Sequence, residues 1–279
     1  MGTRLRIVCE NTVGRPIPAI GEHGLACLVE HNDHCWLFDT GQGKTLLRNF
    51  EALQIDPSPI EGVILSHGHY DHAGGLLDLL EQVGPRPVYA HPDIFLERFW
   101  QGQHEQRAIG IPFSRETLEQ AGASFSLSKE FRTIAPGLHF SGQIPRVTVA
   151  ETGDPHLVCP GDSAGQWVPD TFNDDAALAI ETSRGLVILL GCAHSGLINT
   201  VRHFLDKLGK QPVHAIVGGT HLGPASDEQF NETMEFLCEL NVERLGLSHC
   251  TGQIRAAQVY SRFPKKVFFA AVGAQLEVD

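Results

Sequence analysis

Ser66-His67-Gly68-His69-Tyr70-Asp71-His72-Ala73-Gly74-Gly75 brings three imidazoles and one carboxylate into six consecutive residues, 67 to 72. Val63-Ile64-Leu65 before it reads as a buried strand, and Leu76-Leu77 with Leu79-Leu80 after it as the apolar stripe of a helix. The stretch is therefore a strand-to-helix turn. His67 and His69, two apart on extended chain, can point the same way, while Asp71 and His72 follow as the turn closes. Two pairs of N and O donors aimed at adjacent points suit metal ions better than a His-rich surface turn, because a metal needs several converging ligands. Gly68, Gly74 and Gly75 supply the permissive backbone that so crowded a turn requires.

The H-x-H-x-D-H run is similar to the signature of the metallo-β-lactamase superfamily. Further motifs recur in the same order: Ile20-Gly21-Glu22-His23-Gly24-Leu25, Leu37-Phe38-Asp39-Thr40-Gly41-Gln42-Gly43, Leu190-Gly191-Cys192-Ala193-His194, Gly218-Gly219-Thr220-His221-Leu222 and Ser248-His249-Cys250-Thr251-Gly252. Together they resemble the branch that includes a 7,8-dihydropterin-6-methyl-4-(β-D-ribofuranosyl)aminobenzene-5'-phosphate synthase, over roughly residues 5 to 275. The resemblance implies an α/β fold, the αββα sandwich, with one or two metals at its open edge. It implies that His67, His69 and His194 hold a first metal, and Asp71, His72 and His249 a second. Asp39 would lie beneath these ligands, where a carboxylate can orient an imidazole. Many superfamily members carry a bridging aspartate where this chain has Cys192. Either the Cys192 thiolate replaces that bridge or His194 serves alone.

Neutral imidazoles with one or two carboxylates suit two divalent ions, Zn(II) first, with Fe(II) or Mn(II) also compatible. An open position on such an ion lowers the pKa of bound water from 15.7 toward ~7, which suits hydrolysis of an ester or phosphodiester. The same ions can polarise a diphosphate leaving group while an arylamine attacks the adjacent carbon. The synthase reaction is of this second kind, joining a dihydropterin methyl diphosphate to an aminobenzene ribofuranosyl phosphate. Two enzyme readings thus stand side by side: that condensation, and a phosphodiesterase-type or lactonase-type hydrolase of unrelated substrate. Metal-based redox chemistry or sensing is a third, weakened because relatives of that kind add a flavin domain. Asp71 and His221 are the candidate catalytic side chains. There is no G-x-S-x-G, so no serine-nucleophile motif competes.

Composition sets the outer limits. The 279 residues, 42% of them hydrophobic, form an ordinary globule with no low-complexity tract. One domain spanning 1–279 is expected, its halves near 1–125 and 126–279 each β-then-α and sharing a core. The formal charge of -12 opposes nucleic-acid binding, which rests on Lys and Arg neutralising phosphates. No apolar run approaches the ~20 residues of a membrane span. Met1 to Ile7 reads as a first strand rather than a signal peptide, so a cytoplasmic protein is expected. Seven cysteines without C-x-x-C spacing argue against a disulfide framework. The oligomeric state is not readable.

A small anionic substrate would need local cations in so acidic a chain. Lys44, in the glycine loop Gly41-Gln42-Gly43-Lys44, Arg48, Arg146 and Arg255 are the candidates. That loop is not a P-loop, since the first glycine of G-x-x-x-x-G-K-[ST] would fall on Phe38. Residues 92–122 read as a helical insertion interrupted by Gly102 and Gly110-Ile111-Pro112, a candidate lid in which Phe99 and Trp100 could line a pocket for a flat ligand. Glu151 to Asp175 reads as a long loop, with Trp167 and Phe172 able to cover the site. His91, His104 and His156 read as caps or polar surface. Further on, Ala176–Glu181 and Leu186–Leu190 read as a hairpin, and three successive strands end at His194, His221 and His249. Strand-end placement gathers a site from distant sequence at one edge of the fold.

Overall fold

Ala26–His31 and His34–Phe38 are joined by Asn32-Asp33, both at positive φ (51° and 68°), the two-residue turn whose twist matches the flanking strands. This hairpin sits within the first of two seven-stranded sheets in a computed structural model that describes residues 2–163 and 165–279. Its order runs Gln275–Val278, Thr3–Cys9, Ala26–His31, His34–Phe38, Gly62–Ile64, Arg86–Ala90 and Ala123–Leu127. Pairing is antiparallel up to His34–Phe38 and parallel beyond it. The second sheet repeats the scheme in the order Val267–Phe269, Arg244–Ser248, Val213–Gly219, Gly185–Leu190, Ala177–Thr182, Leu138–Phe140 and Arg132–Ala135.

Side chains alternate between layers as strand geometry dictates. Cys27 and Val29 point into the space between the sheets, whereas Ala26 and Leu28 point outward against helices Leu46–Ala52 and Leu76–Val83. In Gly185–Leu190, Val187 and Leu189 face the other sheet, while Leu186, Ile188 and Leu190 face helices Leu197–Leu208, Asp227–Leu240 and Gln253–Arg262. A strand buried on both faces reads as continuous hydrophobic sequence, and GLVILL does. The layers are helix, sheet, sheet, helix, so the αββα α/β fold is the observed architecture.

Two expectations need correction. Residues 92–122 are not a run of helices: they hold a short 3-10 turn, Pro92–Phe95, a hairpin of Phe99–Gln101 with Gln106–Ala108, and one helix, Arg115–Gln120. Nor is Glu151 to Asp175 all loop, because Leu157–Pro160 and Trp167–Pro169 pair with each other and with Phe99–Gln101 in a third, four-stranded sheet. The strands are three or four residues long, and the pairing of Phe99–Trp100 with Leu157–Val158 joins two hairpins distant in sequence, so neither segment shows a strand signal alone. The last strand, Gln275–Val278, covers the edge of Thr3–Cys9. No helix among the described residues is long and apolar enough to cross a membrane.

Candidate metal centre

Parallel strands of both sheets end at the same edge, and there the chain repeatedly leaves ordinary backbone geometry. Asp39, Ala193, His221 and His249 follow strand ends with φ of 59°, 56°, 50° and 50°. Each costs free energy that surrounding structure must offset, and such residues cluster at functional sites. Two glycines allow the layers to approach. A Cβ at Gly68 would collide with the Ile94 carbonyl, and one at Gly191 with the Ser66 hydroxyl.

Asp39 is fully buried and organises two imidazoles from below. It accepts from Ser66 N (2.7 Å), from Ser66 Oγ (2.7 Å) and from His72 Nδ1 (2.7 Å). Ser66 Oγ accepts in turn from His67 Nδ1 at 2.8 Å. With Nδ1 donating in both rings, Nε2 is the atom that His67 and His72 each turn toward the edge of the fold. His249 is set the same way, its Nδ1 on Asn11 Oδ1 at 3.0 Å and its backbone N on Glu10 Oε1 at 2.6 Å.

The rings converge. His67, His69 and His194 lie with centroids 4.5 to 5.0 Å apart, and the Nε2 atoms of all three are buried without any hydrogen-bond partner. Burial, then neighbouring imidazoles or the Arg98 guanidinium, hold all three well below the usual histidine pKa, so they are neutral. His72 Nε2 lies 3.2 Å from His249 Nε2, and Asp71 Oδ2 lies 3.4 Å from the latter. Cys192 Sγ sits 3.2 Å from His72 Nε2 and belongs to both groups: its sulfur clusters with His67 and His194, and with His72 and His249. Buried, neutral, unpartnered imidazole nitrogens beside a carboxylate and a thiol are costly as they stand and are the donor set a divalent transition metal takes. The residues present fit such ions.

The rest of the surround is charged in a specific way. Burial opposes charge on Asp71, yet His72, His23 (3.1 Å) and His249 hold its carboxyl well below the usual range, which makes it a better ligand than proton acceptor. Burial likewise opposes charge on His72, but Asp39 and Asp71 outweigh it and push the pKa up to about 9. A metal at its Nε2 would displace that proton. On the far wall burial disfavours the charged form of His221, while Asp154, 3.8 Å away, and Cys250 raise its pKa to about 9. His221 thus faces the cavity with neither ring nitrogen hydrogen-bonded, and Cys192, His221 and Cys250 form a further group of converging donors.

A second buried network braces the centre. Arg98, 1% exposed, donates to Asp170 and Asp174 at 2.7 Å each, and Asp174 accepts Gly68 N at 2.8 Å. Phe172 stacks on His194 at 4.0 Å, and Asp175 accepts Ser195 N at 2.8 Å. Thus the third sheet and its loop are tied to the motif at residues 66–75 and to the turn carrying His194.

The centre floors a cavity of about 540 Å³ that also draws Tyr70, Trp100, Arg107, Ile109 and Leu157 to its walls. A groove of similar volume, about 560 Å³, along strand Thr3–Cys9 holds none of these ligands. Of the expected substrate residues, Trp100 lines the cavity and the others do not. Lys44 is exposed on a loop whose Gly43 packs against the Gly74 carbonyl, so the glycines serve packing there, not anion binding. Arg146 donates to the carbonyls of Glu151 and Thr171 and braces a loop. Trp167 is 37% exposed on an edge strand, edge-on to Phe99. Arg48 lies at a different pocket and Arg255 pairs with Asp227. His91 caps the turn at Asp93, and His156 bonds the Gln101 carbonyl. Sequence reasoning missed Glu10, Asn11, Asp154, Asp170, Asp174 and Arg107, which carry no local motif. It quoted His23 and Cys250 within motifs but gave them no role.

Comparison with known proteins agrees with this geometry. The metallo-β-lactamase superfamily model matches residues 20–221. The 7,8-dihydropterin-6-methyl-4-(β-D-ribofuranosyl)-aminobenzene-5'-phosphate synthase of Methanocaldococcus jannaschii is 31% identical over 89% of this chain and 87% of its own. An uncharacterized protein of that organism is also 31% identical, over 89% and 90%. A crystal structure described as a metal-dependent hydrolase of the β-lactamase superfamily superposes with a TM-score of 0.82 at 26% identity, covering 99% of both chains. The chain belongs to the metallo-β-lactamase superfamily.

Proposed function

We propose that this protein is a metal-dependent enzyme holding two divalent ions, zinc first among them, and acting on a small anionic substrate. His67, His69 and His194 would hold one ion and Asp71, His72 and His249 the other, with Cys192 offering its thiolate between them. The observation that carries this reading is the set of buried imidazole nitrogens at one edge that have no partner of their own. Ions in such a site supply Lewis acidity and bound water of lowered pKa. The chain's own residues do the rest. Asp39 and Asn11 fix which ring nitrogen faces the site. His221, 3.8 Å from Asp154, can in its protonated form stabilise or protonate a leaving oxygen in the cavity that Ile109 and Leu157 also line.

The condensation of a dihydropterin methyl diphosphate with an arylamine is the reaction we favour, because the M. jannaschii synthase aligns over most of both chains. A hydrolase is the second reading, favoured by the likeness to a structure described as a metal-dependent hydrolase. A cytoplasmic setting accords with the free state of all seven cysteines. Two measurements test the proposal. Protein purified without chelator should carry more than one equivalent of transition metal, His69→Ala should lose most of it and His104→Ala little. One equivalent or less after reconstitution removes the two-ion reading. Incubation with the dihydropterin diphosphate, with and without the arylamine, then separates the reactions: coupled product supports the synthase, diphosphate release alone supports a hydrolase, and no turnover rejects the pterin substrate.

A further inference from the structure

The hairpin Phe99–Gln101 with Gln106–Ala108 is bonded directly to the metal motif. Tyr70 N donates to the Ile109 carbonyl at 2.9 Å, Ile109 N donates to the Arg98 carbonyl at 2.8 Å, and His69 and Gly110 form an antiparallel bridge. The hairpin is thus a wall of the cavity in fixed register with the ligands. Arg107 stands on this wall, and among the described residues it is the one Lys or Arg that lines the cavity. Its guanidinium lies 4.6 Å from the centre of the Trp100 ring, which also stacks with His156 at 5.8 Å. Contact with a tryptophan face holds the cation in place without hydrogen-bonding its fork.

Its nearest carboxylate, Glu105, is 3.7 Å away, and both side chains are well exposed (60% and 64%). Such a pair contributes little and exchanges readily for a better partner. The carboxylates on the cavity itself pair elsewhere than with Arg107, Asp71 lying against His23 and His249 and Asp154 against His221. In a chain of charge -12, a built cation on a cavity wall needs a reason.

We propose that Arg107 is the oxyanion-recognition residue of this cavity, gripping a phosphate or carboxylate substituent of the substrate while the reacting end lies over the histidine cluster, with Trp100 positioning the guanidinium. The planar fork suits bidentate capture of such a group. The proposal rests on the reading of the cavity as a substrate pocket, and not on which substrate it takes.

The test uses full-length, zinc-reconstituted protein and calorimetric titration with phenyl phosphate, with phenol as the neutral counterpart. Arg107→Gln should weaken phenyl phosphate binding by about tenfold or more, as loss of a charge-assisted hydrogen bond does. Arg107→Lys should fall between, phenol should be indifferent to the substitution, and zinc content should stay the same in all variants. Unchanged phenyl phosphate affinity in Arg107→Gln, an equal loss for phenol, zinc loss in the variant, or no phenyl phosphate binding by the native protein would each overturn it. Binding is read without turnover, so failure of the pterin assay leaves this result standing, and failure here leaves the metal centre standing.

Discussion

Asp39 takes a carboxylate to a place with no solvent contact, where a lone ion would cost several kcal/mol. It is sustained by one backbone donor, one hydroxyl and one imidazole, and through the last two it sets the orientation of His67 and His72. Replacing it by asparagine keeps the volume but turns one acceptor into an NH2 group, which meets either Ser66 N or the pair of Ser66 Oγ and His72 Nδ1 as a clash of donors. Asp39→Asn should therefore lower metal affinity by about 10- to 100-fold, the usual consequence of losing a partner behind a metal-binding histidine. Competition against a chelator of known affinity measures this. Affinity equal to the native protein's would mean that the rings are held by packing alone. His67, His69, Asp71 and His72 are legible in the sequence because they fall within one turn, and His194, His221 and His249 because each ends an apolar run. Asn11 and Glu10 are not, since what they do depends on a strand more than two hundred residues away in the chain.

At the scale of elements, strands with period-two or continuous hydrophobic patterning are legible, and so is the helix Leu76–Val83 from its leucine stripe. What failed was the third sheet. Its strands are three or four residues long, too short for a local period to announce them, and two hairpins are joined only where Phe99–Trp100 meets Leu157–Val158, some sixty residues on in the chain. The tie that holds this sheet to the centre is the buried Arg98 with Asp170 and Asp174. Burial already pushes the Asp174 pKa up to about 7 even beside the guanidinium. Arg98→Met leaves two buried carboxylates without their cation, a change that costs roughly 3–5 kcal/mol. We expect a marked fall in Tm for Arg98→Met and a substantial recovery when Asp170→Asn and Asp174→Asn are added. A Tm for the single variant within a degree or so of native would show that the triad is not what anchors the sheet.

Across the whole molecule the centre is shared between the two halves. His67, His69, Asp71 and His72 follow strand Gly62–Ile64 of the first sheet, whereas Cys192, His194 and His249 follow strands Gly185–Leu190 and Arg244–Ser248 of the second. The apolar layer between the sheets supplies most of their adhesion, from Leu5 and Ile7 on one side to Val187 and Leu189 on the other. At the open edge that layer gives way to neutral imidazoles and the Cys192 thiol, which contribute no comparable attraction and leave buried polar atoms unpaired. A ligand that binds the folded state alone stabilises it by about 2.7 kcal/mol at a hundred times its Kd. For a chain of this size, each kcal/mol moves Tm by roughly 2–4 °C. Metal at saturating concentration should therefore raise Tm by roughly 5–10 °C over chelator-treated protein, and the gain should shrink in His194→Ala and His249→Ala as it does in His69→Ala, because ligands from both sheets are needed. If substitutions in the second sheet leave the metal-dependent gain intact, the ions are held by the first half alone, and the two sheets meet at this edge without being joined there.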